Sequence, residues 1–231
     1  MVRLGVAAGL ALLAGCAAAE EVPVLKDQKE KASYALGVDL GNKLKAQSME
    51  LDADLVSRGL KDALAGKKTI LNEEEIKLAL SALQIELRTK AVEAAKKLGE
   101  KNKQEGEAFL AENKTKEGVV TLASGLQYKI LKAGDGKKPT ADDTVGCHYR
   151  GTLIDGKEFD SSYKRNQPAT FPLKRAIKGW SEALQLMPVG SKWQLFIPPE
   201  LAYGEKGATS GIGPNATLIF EVELLSIKGK S

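Results

Sequence analysis

The sequence predicts two unlike halves: an α-helical N-terminal domain with a long connecting helix, then an α+β domain in which one helix lies on an antiparallel sheet. Three observations carry this. Ile76, Leu80, Leu83, Leu87, Ala91, Ala94 and Leu98 recur at helical spacing. From Ala123 onward the period switches to alternation. The aromatic residues sort the same way, since both tryptophans and every Phe and Tyr except Tyr34 lie at Phe109 or later. A chain of 231 residues, 43% of them apolar, suits one or two hydrophobic cores.

The net charge of +4 is mild and forms no basic block, which argues against a nucleic-acid partner. Residues 1–16 read as a lipoprotein signal peptide. Arg3 supplies a short positive region, and Leu4 to Leu13 is an apolar run too short to span a bilayer. Leu13-Ala14-Gly15-Cys16 resembles the bacterial lipoprotein processing box and predicts lipidation of Cys16; an ordinary secretory signal with an incidental Cys is the alternative. A lipidated Cys16 leaves Cys147 without a disulfide partner and ties the chain stably to a membrane. This places the protein in a bacterial cell envelope, facing the periplasm; Ala17 lacks the Asp associated with inner-membrane retention, which favours an outer-membrane lipoprotein, with the inner membrane as the alternative.

Residues 17–30 are small and charged and read as a flexible tether. Residues 31–112 form the helical part. Ser33 to about Lys45 is a short helix with Leu36, Leu40 and Leu44 on one face, where Gly37 and Gly41 suggest close helix packing. A second short helix starts at a cap of Asp52 or Asp54 and closes at Gly66. Asn72 caps the long helix, with Glu75 as its capping-box partner, and the helix runs to about Glu112. Past Leu98 the apolar stripe fades, so the far half is expected to be a solvated rod. The small leucine core of such a domain is marginal alone, which predicts a homodimer through residues 31–98; a monomeric cap on the chain's own C-terminal domain is the alternative.

Residues 113–122 are expected to be a linker, and 123–231 the second domain. Leu126, Tyr128 and Ile130 make one strand, ended at Gly134-Asp135-Gly136. Val145 to Leu153 alternates into a turn at Asp155-Gly156, a strong hairpin signal. Ile177 to Met187 holds the one helix. Trp193 to Ile197 is a strand stopped by Pro198-Pro199, Leu201 to Pro214 is a glycine-rich loop, and Thr217 to Ile227 is the last of about five strands. The hairpin carries Tyr149, Phe159 and Asp160 together, which reads as the wall of an apolar pocket with one polar handle. His148 falls on the opposite face of its strand from Tyr149, and a lone His without partners makes no metal site. Cys147 reads as a small buried hydrophobe. Nothing in the pattern calls for a metal or a cofactor.

Several segments together resemble the FKBP-type peptidyl-prolyl cis-trans isomerases: Val145 to Phe171, Ile177-Lys178-Gly179-Trp180, Pro198 to Gly204 and Pro214 to Leu224, within about Leu122 to Lys228. The N-terminal layout and the phrase Ser33-Tyr34-Ala35-Leu36-Gly37 are similar to the macrophage infectivity potentiator (Mip)-like subgroup. This resemblance implies a half-barrel sheet around one helix, with a proline-binding pocket between them. It implies Trp180 as the pocket floor and Tyr149, Phe159 and Phe220 as aromatic walls. Ile177 offers a backbone N–H, Asp160 is the polar group on the rim, and Tyr203 offers its hydroxyl. The implied catalytic set is Tyr149, Asp160, Tyr203 and Trp180; the implied substrate-binding set is Phe159, Ile177, Phe220, Phe171 and Arg165. Ala169 stands where many members carry a further aromatic, and Ala208 where some carry a His. The implied substrates are proline-containing unfolded or nascent polypeptides, with macrolides as expected inhibitors and no cofactor. A chaperone-like client-binding module, or an envelope virulence or interaction protein with incidental isomerase activity, is the alternative.

Overall fold

A computed structural model describes residues 24–47, 49–209 and 211–228. The expected signal peptide with Cys16, and residues 17–23 of the expected tether, lie outside the described residues. The chain divides into two compact units between Asn72 and Glu73.

The first unit holds helices α1 (Gln28–Ala46) and α2 (Ala53–Leu64). The tether ends, and α1 begins, earlier than the leucine spacing suggests, because the Asp27 carboxylate caps it by accepting the Glu30 N–H at 2.8 Å. Of the two candidate caps for α2, Asp52 does the work, accepting the N–H groups of Asp54 and Leu55 at 2.9 and 3.0 Å. No residue of α1 or α2 is buried, and Leu60 and Leu64 are 51% and 81% exposed. Gly37 and Gly41 mark no close packing among the described residues of this unit: a Cβ at either would meet nothing within 4 Å. Both glycines instead line a groove of about 520 Å³ between the helices, with Leu40, Leu44, Val56 and Leu60.

The second unit opens with α3 (Glu73–Asn113), whose 41 residues span about 60 Å at 1.5 Å per residue. Three glutamates in its first turn, Glu73 to Glu75, complement the helix dipole. The far half of α3 is not a solvated rod. Gly99, Gly106 and Asn113, each two helical turns from the next, form a buried stripe against the sheet domain. A Cβ on Gly106 would overlap the Thr217 hydroxyl, so the small residue is what lets the helix in. Asn113 donates to Gln127 Oε1 at 2.9 Å, Gln127 donates to the Leu110 carbonyl at 2.9 Å, and Phe109 meets Phe196 with ring centres 5.9 Å apart.

The expected linker is only partly irregular, because its end forms β1 (Val119–Thr121). Among the described residues six more strands follow: β2 (Gln127–Lys132), β3 (Thr144–Leu153), β4 (Glu158–Ser161), β5 (Ala169–Pro172), β6 (Lys192–Ile197) and β7 (Leu218–Lys228). The short strands β1 and β5 raise the expected five to seven. All pairings are antiparallel, in the order β1-β2-β6-β7-β3-β4, with β5 also on β3. Alternation on β7 turns Leu218, Phe220, Val222 and Leu224 inward. Helix α4 (Lys178–Leu184) buries Trp180, Ala183 and Leu184 against that face. One face of the sheet therefore packs on α4 while Phe196, on the other, is covered by α3.

Candidate active site

A pocket of about 310 Å³ opens where α4 meets the concave face of the sheet. Its floor is Trp180, placed on the first turn of α4 and 6% exposed. The indole meets Tyr149 and Phe220 edge to face, with ring centres 5.2 and 5.1 Å apart, and Phe171 at 5.4 Å. Phe159 closes the wall edge-on to Phe220 at 5.4 Å. These side chains come from β3, β4, β5, β7 and α4, so the aromatic box exists only once the sheet is assembled.

Gly151 makes room for the box. It pairs with Asp160 on β4 and with Phe220 on β7, and a Cβ there would stand 2.7 Å from both the Phe159 and the Phe220 ring. Tyr149 is held from behind by Ser162, which is fully buried. The Ser162 hydroxyl accepts the Tyr149 N–H at 2.8 Å, and the Ser162 N–H reaches the Tyr149 carbonyl at 3.0 Å.

The polar rim is a triangle. Tyr149 donates its hydroxyl to Asp160, Arg165 donates to the other Asp160 oxygen, and a second Arg165 nitrogen reaches the Tyr149 oxygen at 2.8 Å. The guanidinium also lies over the Tyr149 ring, 5.6 Å from its centre. Burial works to raise the Asp160 carboxyl, but the hydrogen bonds from Tyr149 and Arg165 and the Arg165 charge hold it below the usual carboxylate range. Burial, then the bond to Asp160, raises the Tyr149 hydroxyl above the usual phenol value. The rim therefore carries an ionised carboxylate and a neutral phenol at neutral pH.

Every residue anticipated for the pocket lines it except Arg165, which is not part of the lining but bonds to Tyr149 and Asp160 at its rim. Ile177 caps the N-terminus of α4, and Tyr203 arrives from the loop after β6. Among the described residues neither the Ile177 N–H nor the Tyr203 hydroxyl has a hydrogen-bond partner. Ala169 does line the pocket, as its position before Phe171 suggests, and Ala208 does not. His148 faces away, with its ring on the Ser162 hydroxyl at 2.9 Å and stacked on Tyr163 at 4.6 Å. Cys147 is fully buried, and burial pushes its thiol up to about 12. Sequence reasoning missed Arg175 and Ala176, which also line the pocket from the turn before Ile177. It missed the bracing role of Ser162 as well, although the Asp160-Ser161-Ser162 run was its only trace.

Comparison with known proteins identifies the family of the chain. A family model described as FKBP-type peptidyl-prolyl cis-trans isomerase matches residues 135–225. A second, described as the domain amino terminal to FKBP-type peptidyl-prolyl isomerase, matches residues 29–130. The chain is 47% identical over 220 residues to the outer membrane protein MIP of Legionella longbeachae, covering 95% of this chain and 94% of that one. It is also 47% identical over 219 residues to the peptidyl-prolyl cis-trans isomerase Mip of Coxiella burnetii, covering 95% of each. Among solved structures, FkpA from Escherichia coli superposes with a TM-score of 0.70 at 41% identity, over 89% of this chain and 99% of that one.

Proposed function

This chain belongs to the FKBP-type peptidyl-prolyl cis-trans isomerases, and we propose that it turns over X-Pro bonds in the aromatic pocket over Trp180. The observation that carries this placement is the box of Tyr149, Phe159, Phe171 and Phe220 around that indole, with one ionised carboxylate on its rim.

The X-Pro bond resists rotation because amide resonance sets a barrier of roughly 18–20 kcal/mol. No covalent step is needed to lower it. The planar amide is more polar than the twisted one, so an apolar pocket disfavours the planar form more. The pyrrolidine ring sits on Trp180, within the reach of Tyr149, Phe159 and Phe220. The Tyr203 hydroxyl and the Ile177 N–H donate to substrate carbonyls and hold the twisted geometry; each tenfold in rate needs about 1.4 kcal/mol of such preference. Asp160 fixes and polarises Tyr149, and Arg165 keeps Asp160 ionised. Neither transfers a proton.

A proline-peptide isomerisation assay tests the placement. Trp180→Leu and Tyr203→Phe should each lower kcat/KM by about fivefold or more, which is about 1 kcal/mol. An FKBP-directed macrolide should compete with the peptide. Full activity in both variants would leave the family intact and remove the pocket assignment.

The chain also acts as a homodimer through residues 31–98, a reading supported by the open leucine faces of α1 and α2 and by the groove between them. Sedimentation of wild type against Leu40→Glu/Leu60→Glu tests it. Lipidation at Cys16 fastens the protein to the outer membrane, facing the periplasm, where it serves the folding of secreted and envelope proteins. Support comes from the Leu13-Ala14-Gly15-Cys16 box and from the Legionella relative, which is named an outer membrane protein. Cell fractionation of Cys16→Ser, with mass measurement of the mature N-terminus, decides it.

A further inference from the structure

Tyr203 stands at the head of a short turn (Gly204–Lys206), and its side chain is 41% exposed, so its own surroundings hold it lightly. The fastening comes from the far end of its loop. The Gly204 carbonyl accepts the Asn215 N–H at 2.9 Å. One residue earlier, the Pro214 carbonyl accepts from Asn102 Nδ2 of α3 at 2.7 Å. The Asn215 side chain completes the link by donating to the Gly99 carbonyl at 3.4 Å. Helix and loop pack closely: a Cβ on Gly99 would stand 3.1 Å from Pro214 Cβ, and one on Gly213 would stand 3.1 Å from Leu98 Cδ2.

We propose that α3 clamps the Tyr203 loop, and that Asn102 is a positioning residue for the isomerase reaction, acting on Tyr203 through Pro214, Asn215 and Gly204. The path is short and directional. Asn102 fixes the Pro214 carbonyl, the adjoining Asn215 N–H fixes the Gly204 carbonyl, and Gly204 follows Tyr203 directly. The long helix thus contributes to turnover without touching substrate. This inference rests on the reading of Tyr203 as a donor to the substrate.

A double-mutant cycle on the full-length chain tests it, using a proline-peptide isomerisation assay. Asn102→Ala should lower kcat/KM about threefold, and about equally in Asn102→Asp, which keeps the size but loses the donor. In a Tyr203→Phe background, which has no hydroxyl left to position, the same substitutions should change kcat/KM by less than about 1.5-fold. Asn113→Ala, which loosens the other end of the same helix, should leave kcat/KM within about 1.5-fold of wild type. Equal losses from Asn102→Asp in both backgrounds, or no loss in either, would overturn the clamp. A Tyr203→Phe chain as active as wild type would overturn the donor role of Tyr203 and the clamp with it.

Discussion

Tyr149 donates its hydroxyl to Asp160 across the β3–β4 hairpin, so the one carboxylate that lines the pocket among the described residues is committed to an aromatic wall. Arg165 touches both partners. A carboxylate bound by two donors and neutralised by a guanidinium is a weak base, which removes it from proton transfer. Its effect is geometric and electrostatic: it fixes the angle of the Tyr149 ring against Trp180, 85° between planes.

Asp160→Ala should therefore lower kcat/KM by about tenfold, equivalent to about 1.4 kcal/mol of transition-state binding, while the pH profile stays flat. Asp160 titrates below its ordinary value of 3.8 and Tyr149 above its ordinary value of 10.0, so neither changes charge near neutrality. Activity from pH 6 to 9 should show no ionisation belonging to either residue. The Asp160 contribution to stability is fully present above its unfolded pKa and is lost as pH falls through the lower folded value. A bell-shaped profile with a limb that vanishes in Asp160→Ala would contradict this.

Gly151→Ala should be among the most damaging single-methyl changes in the domain. The new Cβ meets two rings at 2.7 Å, and neither ring can retreat without leaving the box. Overpacking of this kind costs about 1–3 kcal/mol. Kinetics and thermal unfolding should both register it, with kcat/KM down tenfold or more. Gly156→Ala, in the exposed turn of the same hairpin, serves as comparison. It carries a backbone penalty at φ 85° but meets no neighbour, so stability falls while the pocket stays intact.

Much of this was legible in the sequence because the signals are local. Asp52 and the 3-4 stripe of α3 mark helices through contacts within a few residues, and alternation in β3 and β7 assigns faces directly. The hairpin showed one wall of the aromatic box, Tyr149 with Phe159, but its union with Trp180, Phe171 and Phe220 was legible only through family resemblance, since five separate elements supply the box and no periodicity links them. Burial of one stripe along the far half of α3 was missed for a physical reason. Apolar patterning reports helices buried through large side chains, whereas Gly99, Gly106 and Asn113 bury a face by being small or by pairing. Their sevenfold spacing was the available trace. Arg175 escaped because its place on the pocket depends on the turn Leu173–Arg175, not on any pattern of its own.

Asn113→Ala should destabilise the second unit without slowing catalysis. The change leaves Gln127 Oε1 without its 2.9 Å donor in a site where both residues are buried. An abandoned buried acceptor costs about 1–3 kcal/mol. Urea unfolding should shift to a lower midpoint with an unchanged slope. The double change Asn113→Leu/Gln127→Leu, which removes the acceptor too, should recover part of the loss.

Cys147 reports on opening of the sheet domain. It lies on β3 with no exposed surface, and burial raises its thiol from the ordinary 9.0 to about 12. Only the thiolate attacks disulfide reagents, so the folded protein should be inert near neutral pH. In a Cys16→Ser background, modification of Cys147 should proceed no faster than unfolding, and mild denaturant should accelerate it in step with the open population. The same burial makes stability pH-dependent in the alkaline range. The neutral thiol favours the fold fully below about pH 9, and this contribution is lost as pH rises toward about 12. Cys147→Ala should flatten that limb of the stability curve while leaving isomerase activity unchanged. Rapid labelling of native Cys147 at pH 7 would show that β3 opens locally, without unfolding of the rest.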